Sequence, residues 1–178
     1  MSTRGRLTAR IVKTISPVWA ERGYKVLYGH GPQGENLGEI VSVIEEPYGY
    51  GDELSRLDIA IVKQSLDRLE AVALIEIEEM ADKPKVLLGD IFGALLGEHI
   101  CFRGEEICIG DFTALIVIGI NRFTHHDRRV YIFDQVMRVK AYLSARNAKI
   151  GKIVTETYSG GEQLIEDLPS RIDAELGF

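Results

Sequence analysis

The feature that most constrains the fold is a short apolar run, Ala114–Ile120. It reads Ala-Leu-Ile-Val-Ile-Gly-Ile and is flanked by the polar residues Thr113 and Asn121. A run of this length fits a β-strand and falls well short of the roughly 18 apolar residues that a membrane-spanning helix needs. Strands without polar alternation are typical of sheets covered on both faces. The run therefore predicts a layered α/β protein with helices on both sides of a sheet.

The rest of the pattern predicts further strands and helices in an order that suits such a layered fold. Helices are expected over Leu7–Arg22, from Asp82 to about Leu96, and over Arg129–Asn147; strands are expected over Tyr24–Tyr28, Glu39–Glu45, Leu57–Lys63, Ala71–Glu78 and Lys152–Tyr158. The helix between the strand ending at Glu78 and the strand at Ala114 is a crossover connection, which makes those two strands parallel. We expect a single α/β domain over residues 1–178, with a mixed central β-sheet flanked by helices.

Length, charge and cysteine content narrow the classes of function. A chain of 178 residues is the size of one domain. The net charge of −6 excludes a uniformly basic nucleic-acid coat but leaves room for a local basic groove. The basic N-terminus is not followed by an apolar segment, so we expect a cytoplasmic protein without a membrane partner. Cys101 and Cys108 flank a predicted hairpin, and two free thiols are expected in a reducing compartment.

Acidic residues are placed symmetrically on the two strands that precede the helix at Asp82. Asp58 lies nine residues before Asp67, at the centre of the connection, and Glu76 lies nine residues after it. In an antiparallel hairpin centred there, the Asp58 and Glu76 side chains face each other at roughly 5 Å. Glu78, two residues further on, points to the same face as Glu76. Three carboxylates are therefore expected at one end of one sheet face.

The strands between these acids are apolar, which bears on their chemistry. Carboxylates beside apolar strands are poorly solvated, and like charges this close repel each other. A bound Mg²⁺ (or Mn²⁺) relieves both problems, because this ion accepts one or two carboxylates and keeps several waters. The alternative is a solvated strand end, where acids occur simply because they reach water.

Asp58, the run Glu76-Ile77-Glu78 and then Lys83-Pro84-Lys85 at the start of a helix together resemble the PD-(D/E)XK nuclease superfamily, which has the restriction-endonuclease-like fold. The order of a helix, three strands, a helix and a further strand is also similar. Two positions depart from the motif, because Leu57 stands where the motif has proline and Glu78 where it has lysine.

The resemblance implies metal-assisted hydrolysis of a phosphodiester bond. It implies that Asp58 and Glu76 hold one or two divalent ions, and that Glu78 accepts a proton from a bound water or holds a second ion. It also implies that Lys83 or Lys85 replaces the motif lysine and stabilises the charge that develops on the phosphate.

Basic residues follow the apolar strand and are expected near the acids. Candidate nucleic-acid-binding residues are Arg122, His125, Arg128 and Arg129. These groups suit phosphate contacts, although a solvated loop is the alternative. The expected function is a divalent-metal-dependent nuclease acting on DNA. The alternative is a non-catalytic nucleic-acid-binding or assembly protein that keeps the same fold.

The helix after Asp82 carries three glycines on one face, Gly89, Gly93 and Gly97. Each interior glycine costs about 1 kcal/mol of helix stability relative to alanine. A close backbone contact offsets such a cost. We expect that contact to be with the sheet; the alternative is a second copy of the helix in a homodimer.

Overall fold

The computed structural model describes residues 6–45, 51–78, 84–120, 150–158 and 160–177. Within these ranges the helices are α1 (Arg6–Glu21), α2 (Pro84–Leu96) and α3 (Gly161–Leu176). The strands are β1 (Tyr24–Tyr28), β2 (Ile40–Glu45), β3 (Gly51–Leu57), β4 (Ile59–Ser65), β5 (Arg68–Glu78), β6 (His99–Phe102), β7 (Glu105–Cys108), β8 (Ala114–Ile120) and β9 (Lys152–Tyr158).

Strand β5 is the centre of the sheet. On one side it continues the antiparallel ladder β1–β4–β5. On the other side its C-terminal half pairs in parallel with β8, and β8 pairs in parallel with β9. The first residues of β5 pair instead with β7, which begins a second, antiparallel arm in the order β7–β6–β2–β3. The sheet is therefore mixed and mostly antiparallel, and the predicted parallel crossover from β5 through α2 to β8 is confirmed.

Two apolar layers cover the sheet, as the run at Ala114 predicted. One layer lies under α2 and includes Leu74, Ile91, Ala94, Leu115 and Val117. The other lies under α1 and α3 and is made by alternate residues of the same strands. Its members include Ile11, Ile15, Trp19, Ile75, Ile116, Ile118, Leu164 and Leu168. The central sheet flanked by helices is thus confirmed.

A β-bulge in β5 decides which of its side chains face α2. Ile61 pairs with Ala73, but the next residue, Val62, pairs with Ala71, so Val72 is the extra residue. Val72 and Ala73 both lie in the layer under α1 and α3, whereas Ala71 and Leu74 lie under α2. The bulge shifts the alternation of β5 by one residue. From Ala73 onward, the even-numbered residues of β5 therefore point towards α2.

Helix α2 sits very close to β2 and β3, and its glycines are the reason. A Cβ on Gly93 would lie 2.6 Å from Cβ of Ser55 and 2.8 Å from the carbonyl oxygen of Leu54. A Cβ on Gly97 would collide with Oγ of Ser42, which donates a buried 2.8 Å hydrogen bond to the Gly93 carbonyl. The predicted close approach to the sheet is confirmed for these two glycines. At Gly89 the same added atom meets nothing within 4 Å among the described residues.

The predicted strand Leu57–Lys63 was wrong at its start. Leu57 ends β3, Asp58 forms a bend, and β4 begins at Ile59. The sequence marks no break there, because neither glycine nor proline occurs at the bend. On β3, Arg56 forms ion pairs with Glu39 and Glu53 at 2.7 and 2.6 Å.

The connection between β4 and β5 is shorter than predicted. It consists of Leu66 and Asp67 alone, since Ser65 already pairs with Arg68. Leu66 has a positive φ of 52° and is 99% exposed.

The predicted hairpin between the cysteines is confirmed. β6 and β7 pair antiparallel about a turn at Arg103 and Gly104, and Cys101 and Cys108 are free thiols. Arg103 donates hydrogen bonds to the carbonyl oxygens of Leu37 and Gly34. These bonds tie the glycine-rich segment between β1 and β2 to the hairpin.

The polar C-terminal segment forms α3. Leu164, Leu168 and Ile172 of α3 are buried against the sheet. None of the described helices is long and apolar enough to cross a membrane. The predicted helix Arg129–Asn147 lies outside the described residues.

Candidate functional site

Asp58 lies in the bend between β3 and β4, beside the C-terminal end of β5. Its Oδ2 accepts a 2.9 Å hydrogen bond from the backbone N–H of Ile77. This bond forms just beyond Ile59 and Ile75, the last paired residues of the β4–β5 ladder. It therefore holds a half-buried carboxylate at the point where the two strands part.

Glu76 is the next position along that ladder. The pairs Ile59–Ile75, Ala60–Leu74 and Ile61–Ala73 are symmetric about Asp67, and continuing the register brings Glu76 opposite Asp58. The bulge at Val72 produces this register, because the turn itself is centred between Leu66 and Asp67. The two carboxylates lie close enough for the charge of Asp58 to act on Glu76. Their proximity, predicted from spacing, is thus present in the structure.

The carboxyl group of Glu76 is in a strongly unfavourable position for a negative charge. Its Oε2 is removed from solvent and has no hydrogen-bond partner among the described residues. Burial raises the pKa of Glu76 well above its ordinary value, and the charges of Asp58, Asp90 and Glu78 raise it further. A hydrogen bond from the backbone of Asp58 offsets this only in part. An ionised Glu76 therefore needs a positive charge beside it.

Two further acids complete this group, which we call the carboxylate cluster: Asp58, Glu76, Glu78 and Asp90. Glu78 follows Glu76 by two residues and is half-buried at the end of β5. Asp90 comes from the middle of α2, and its charge also acts on Glu76. The cluster therefore joins the β3–β4 bend, the end of β5 and the helix that covers them.

The cluster lies at the edge of the apolar layer under α2. In the row Ala60, Leu74, Leu115 and Ile153, every side chain belongs to that layer. In the next row, Glu76 pairs with Val117 and Val117 with Thr155. Polar residues thus occupy neighbouring positions on β5 and β9, on either side of Val117. This end of the sheet face is therefore polar, next to the apolar core.

The structure brings together only some of the predicted site residues. It brings Asp58, Glu76 and Glu78 together, and it places Lys85 in the first turn of α2. Lys83 and the four residues of the basic loop, Arg122, His125, Arg128 and Arg129, lie outside the described residues. Across the described ranges, no group of three or more acidic, histidine or cysteine side chains has the geometry to hold a metal ion. The cluster as it stands is a set of neighbouring carboxylates rather than a closed ligand cage.

Asp90 was missed in the sequence. It is the only acidic residue in the 13-residue helix α2, and it precedes the buried Gly93 and Ala94 by three and four positions. These spacings put it on the side of the helix that faces the sheet. A single acid on the packed face of an apolar helix was the signal that could have revealed it.

Comparison of the chain with protein-family models, with curated proteins and with solved structures found no match.

Proposed function

We propose that this chain is a divalent-metal-dependent nuclease that hydrolyses phosphodiester bonds in DNA, with the restriction-endonuclease-like fold of the PD-(D/E)XK superfamily. One observation carries the proposal. Oε2 of Glu76 is buried without a hydrogen-bond partner in the described part of the chain, beside other carboxylates. Such a group is costly as an anion, and a hard divalent cation is the ligand that offsets the cost.

The order and direction of the central strands support the proposed fold. Helix α1 is followed by β1, β4 and β5, which form an antiparallel ladder interrupted in sequence by β2 and β3. Helix α2 then leads to β8, which is parallel to β5. This order agrees with the helix, three strands, helix and strand that the sequence resemblance implies.

In the proposed mechanism, Asp58 and Glu76 would hold the cation with their carboxylates. The chemistry that a divalent ion would supply there is polarisation of a phosphoryl oxygen and a lower pKa for a coordinated water. Glu78 would accept a proton from the attacking water or hold a second ion, and Lys83 or Lys85 would stabilise the charge on the phosphate. The basic residues after β8 hold the DNA backbone through phosphate contacts.

A non-catalytic nucleic-acid-binding or assembly protein of the same fold is the second candidate. Two observations favour it. Glu78 occupies the motif position of the lysine, and the described residues contain no ready-made group of three metal ligands.

The test is a cleavage assay on single-stranded, duplex and branched DNA with Mg²⁺ or Mn²⁺ and, in parallel, with a chelator. We expect cleavage that the chelator abolishes. Glu76→Gln keeps the shape of the side chain and removes its charge, so it should lose activity and remain folded. Glu106→Gln is the matched control, because Glu106 is exposed on β7, away from the cluster. It removes the same charge and should cleave like the wild type.

The outcomes separate the two candidates. DNA binding without metal-dependent cleavage supports the non-catalytic protein. If the wild type neither binds nor cleaves any of the three substrates, both candidates fail.

A further inference from the structure

A small cavity opens on the side of the sheet that α2 covers, at the opposite end of β5 from the carboxylate cluster. Its volume is about 170 Å³, and it is lined by residues of β1, β5, the β6–β7 hairpin and the segment between β1 and β2. Leu69 of this lining precedes Glu76 by seven residues of β5, which is roughly 20 Å along a strand. The cavity is therefore separate from the carboxylate cluster.

The floor of the cavity is apolar. It consists of Leu27, Leu69 and Phe102, which are buried and belong to the layer under α2. An apolar cavity of about 150 Å³ lined by leucine, isoleucine and phenylalanine side chains holds one benzene ring. The space above this floor therefore suits one branched aliphatic side chain or one aromatic ring.

The rim of the cavity carries charges of both signs. Lys25 and Arg103 are cations, and Glu35 and Glu105 are carboxylates. In the part of the chain that the structure describes, none of these four charged groups forms an ion pair. The side-chain amide of Asn36, which can both donate and accept hydrogen bonds, completes the lining. Positive and negative groups are thus both available to a ligand.

The wall formed by the segment between β1 and β2 is held firmly against the hairpin. Arg103 donates hydrogen bonds to the carbonyl oxygens of Gly34 and Leu37, which flank the two lining residues of this segment. A Cβ on Gly38 would lie 2.9 Å from Cε2 of Phe102, so a larger residue there would have to push the ring aside. These contacts fix the shape of the cavity, and a preformed site costs less free energy to bind a ligand.

We propose that this cavity binds a free α-amino acid with a large apolar side chain, such as leucine or phenylalanine. The side chain of the ligand lies on the apolar floor. Its carboxylate contacts Lys25 and Arg103, and its ammonium group contacts Glu35 and Glu105. A purely anionic ligand such as a phosphate would be repelled by the two carboxylates, and a purely cationic ligand by the two cations, whereas a zwitterion matches both signs.

The experiment is calorimetric titration of the full chain with amino acids in the presence of a chelator. We expect L-leucine and L-phenylalanine to bind with a Kd of about 1 mM or tighter. Alanine leaves the apolar floor uncovered and should bind about tenfold more weakly or worse. N-acetyl-leucine lacks the ammonium group and leucinamide lacks the carboxylate, so each should bind about tenfold more weakly than leucine, or worse.

Variants of the rim assign each charged end of the ligand. Lys25→Ala should weaken leucine binding about two- to fivefold. It should not weaken leucinamide binding, because that ligand has no carboxylate to lose a contact. The double variant Glu35→Gln with Glu105→Gln should weaken leucine binding by at least about the same factor and should not weaken N-acetyl-leucine binding.

Matched controls remove the same charges from exposed positions outside the cavity. They are Lys13→Ala on α1 and the double variant Glu21→Gln with Glu106→Gln, on α1 and on β7. Both controls should bind leucine like the wild type. The rim and control residues are all exposed, and circular dichroism checks that every variant is folded.

Ligand-specific losses in the rim variants, with both controls unchanged, support the proposal. A wild type that binds neither leucine nor phenylalanine at about 10 mM overturns it. Equal leucine affinity in the wild type and the rim variants also overturns it, because the amino acid would then be bound elsewhere. These titrations use neither DNA nor a metal ion, so their failure leaves the proposed function standing.

Discussion

The contact between α2 and β3 predicts opposite effects for the same substitution at two glycines of one helix. Alanine in place of glycine gains about 1 kcal/mol of helix stability at either position. At Gly89 nothing described lies within 4 Å of the added methyl group, so Gly89→Ala should keep the full gain. At Gly93 the methyl carbon would lie 2.6 Å from Cβ of Ser55 and 2.8 Å from the Leu54 carbonyl oxygen. Ordinary carbon contacts are about 3.5–4.0 Å, so helix or strand must move.

Such overpacking costs about 1–3 kcal/mol. The helix gain is common to both variants, and their difference therefore isolates the cost of the contact. Each 1 kcal/mol changes the melting temperature of a chain this long by about 2–4 °C. Gly89→Ala should melt about 2–4 °C above the wild type. Gly93→Ala should melt about 2–12 °C below Gly89→Ala.

The assay is thermal unfolding followed by circular dichroism, with the mass in solution measured by light scattering. Equal melting temperatures for the two alanine variants would refute the close packing of α2 against the sheet at Gly93. If the wild type is a dimer and Gly93→Ala alone becomes monomeric, the glycines serve a contact between two copies instead.

Three further predictions concern the carboxyl group of Glu76, two turn residues with positive φ, and the basic residue Arg128 that the sequence singles out. The pKa of Glu76 is raised in the folded state, so the stability from this group is complete below the unfolded pKa of about 4.3 and is lost as pH rises towards the folded pKa. In a chelator, Glu76→Gln should therefore melt above the wild type at pH 7 and equal to it near pH 4; a variant less stable at pH 7 contradicts this sign. Leu66→Gly should stabilise the protein by about 1 kcal/mol in denaturant unfolding, because a side chain at positive φ costs about 1–2 kcal/mol. Arg103→Gly, at the same φ of 52°, should gain less because it loses the bonds to Leu37 and Gly34, and equal gains would show that those bonds contribute nothing. Arg128→Ala should weaken DNA binding and lower the slope of log affinity against log salt by about 0.9, the value of one phosphate contact; an unchanged slope removes Arg128 from the interface.

The sequence pattern was sufficient to predict those elements whose structure is determined by residues close together in the chain. The spacing of Ile11, Ile15 and Trp19 predicts α1, and the apolar run at Ala114 predicts a strand covered on both faces. The helix between β5 and β8 predicts their parallel direction, since a chain must cross over the sheet to return in that direction. The three glycines predict a close contact for α2, and two of them make it.

Other features were decided by contacts between residues far apart in the chain. The bend at Asp58 depends on β3 joining β2 while β4 joins β1 and β5, and no residue at the bend marks it. With the two-residue turn alone, β4 and β5 would be paired one residue out of the register that places Asp58 opposite Glu76. The bulge at Val72 compensates for that shift. A one-residue shift moves every side chain to the opposite face, so this bulge determines that Glu76 lies under α2.

By itself, the sequence therefore determined the order of the main helices and strands, the layered arrangement and the identity of three candidate acids. Only the tertiary structure decided that Asp90 joins them and that Oε2 of Glu76 is buried without a described partner. The physical reason is that burial and electrostatic repulsion depend on distances across packed elements. The spacing of residues along β5 determines the face of the sheet on which Glu76 lies. It does not determine that Asp90, 14 residues later in α2, lies above that face.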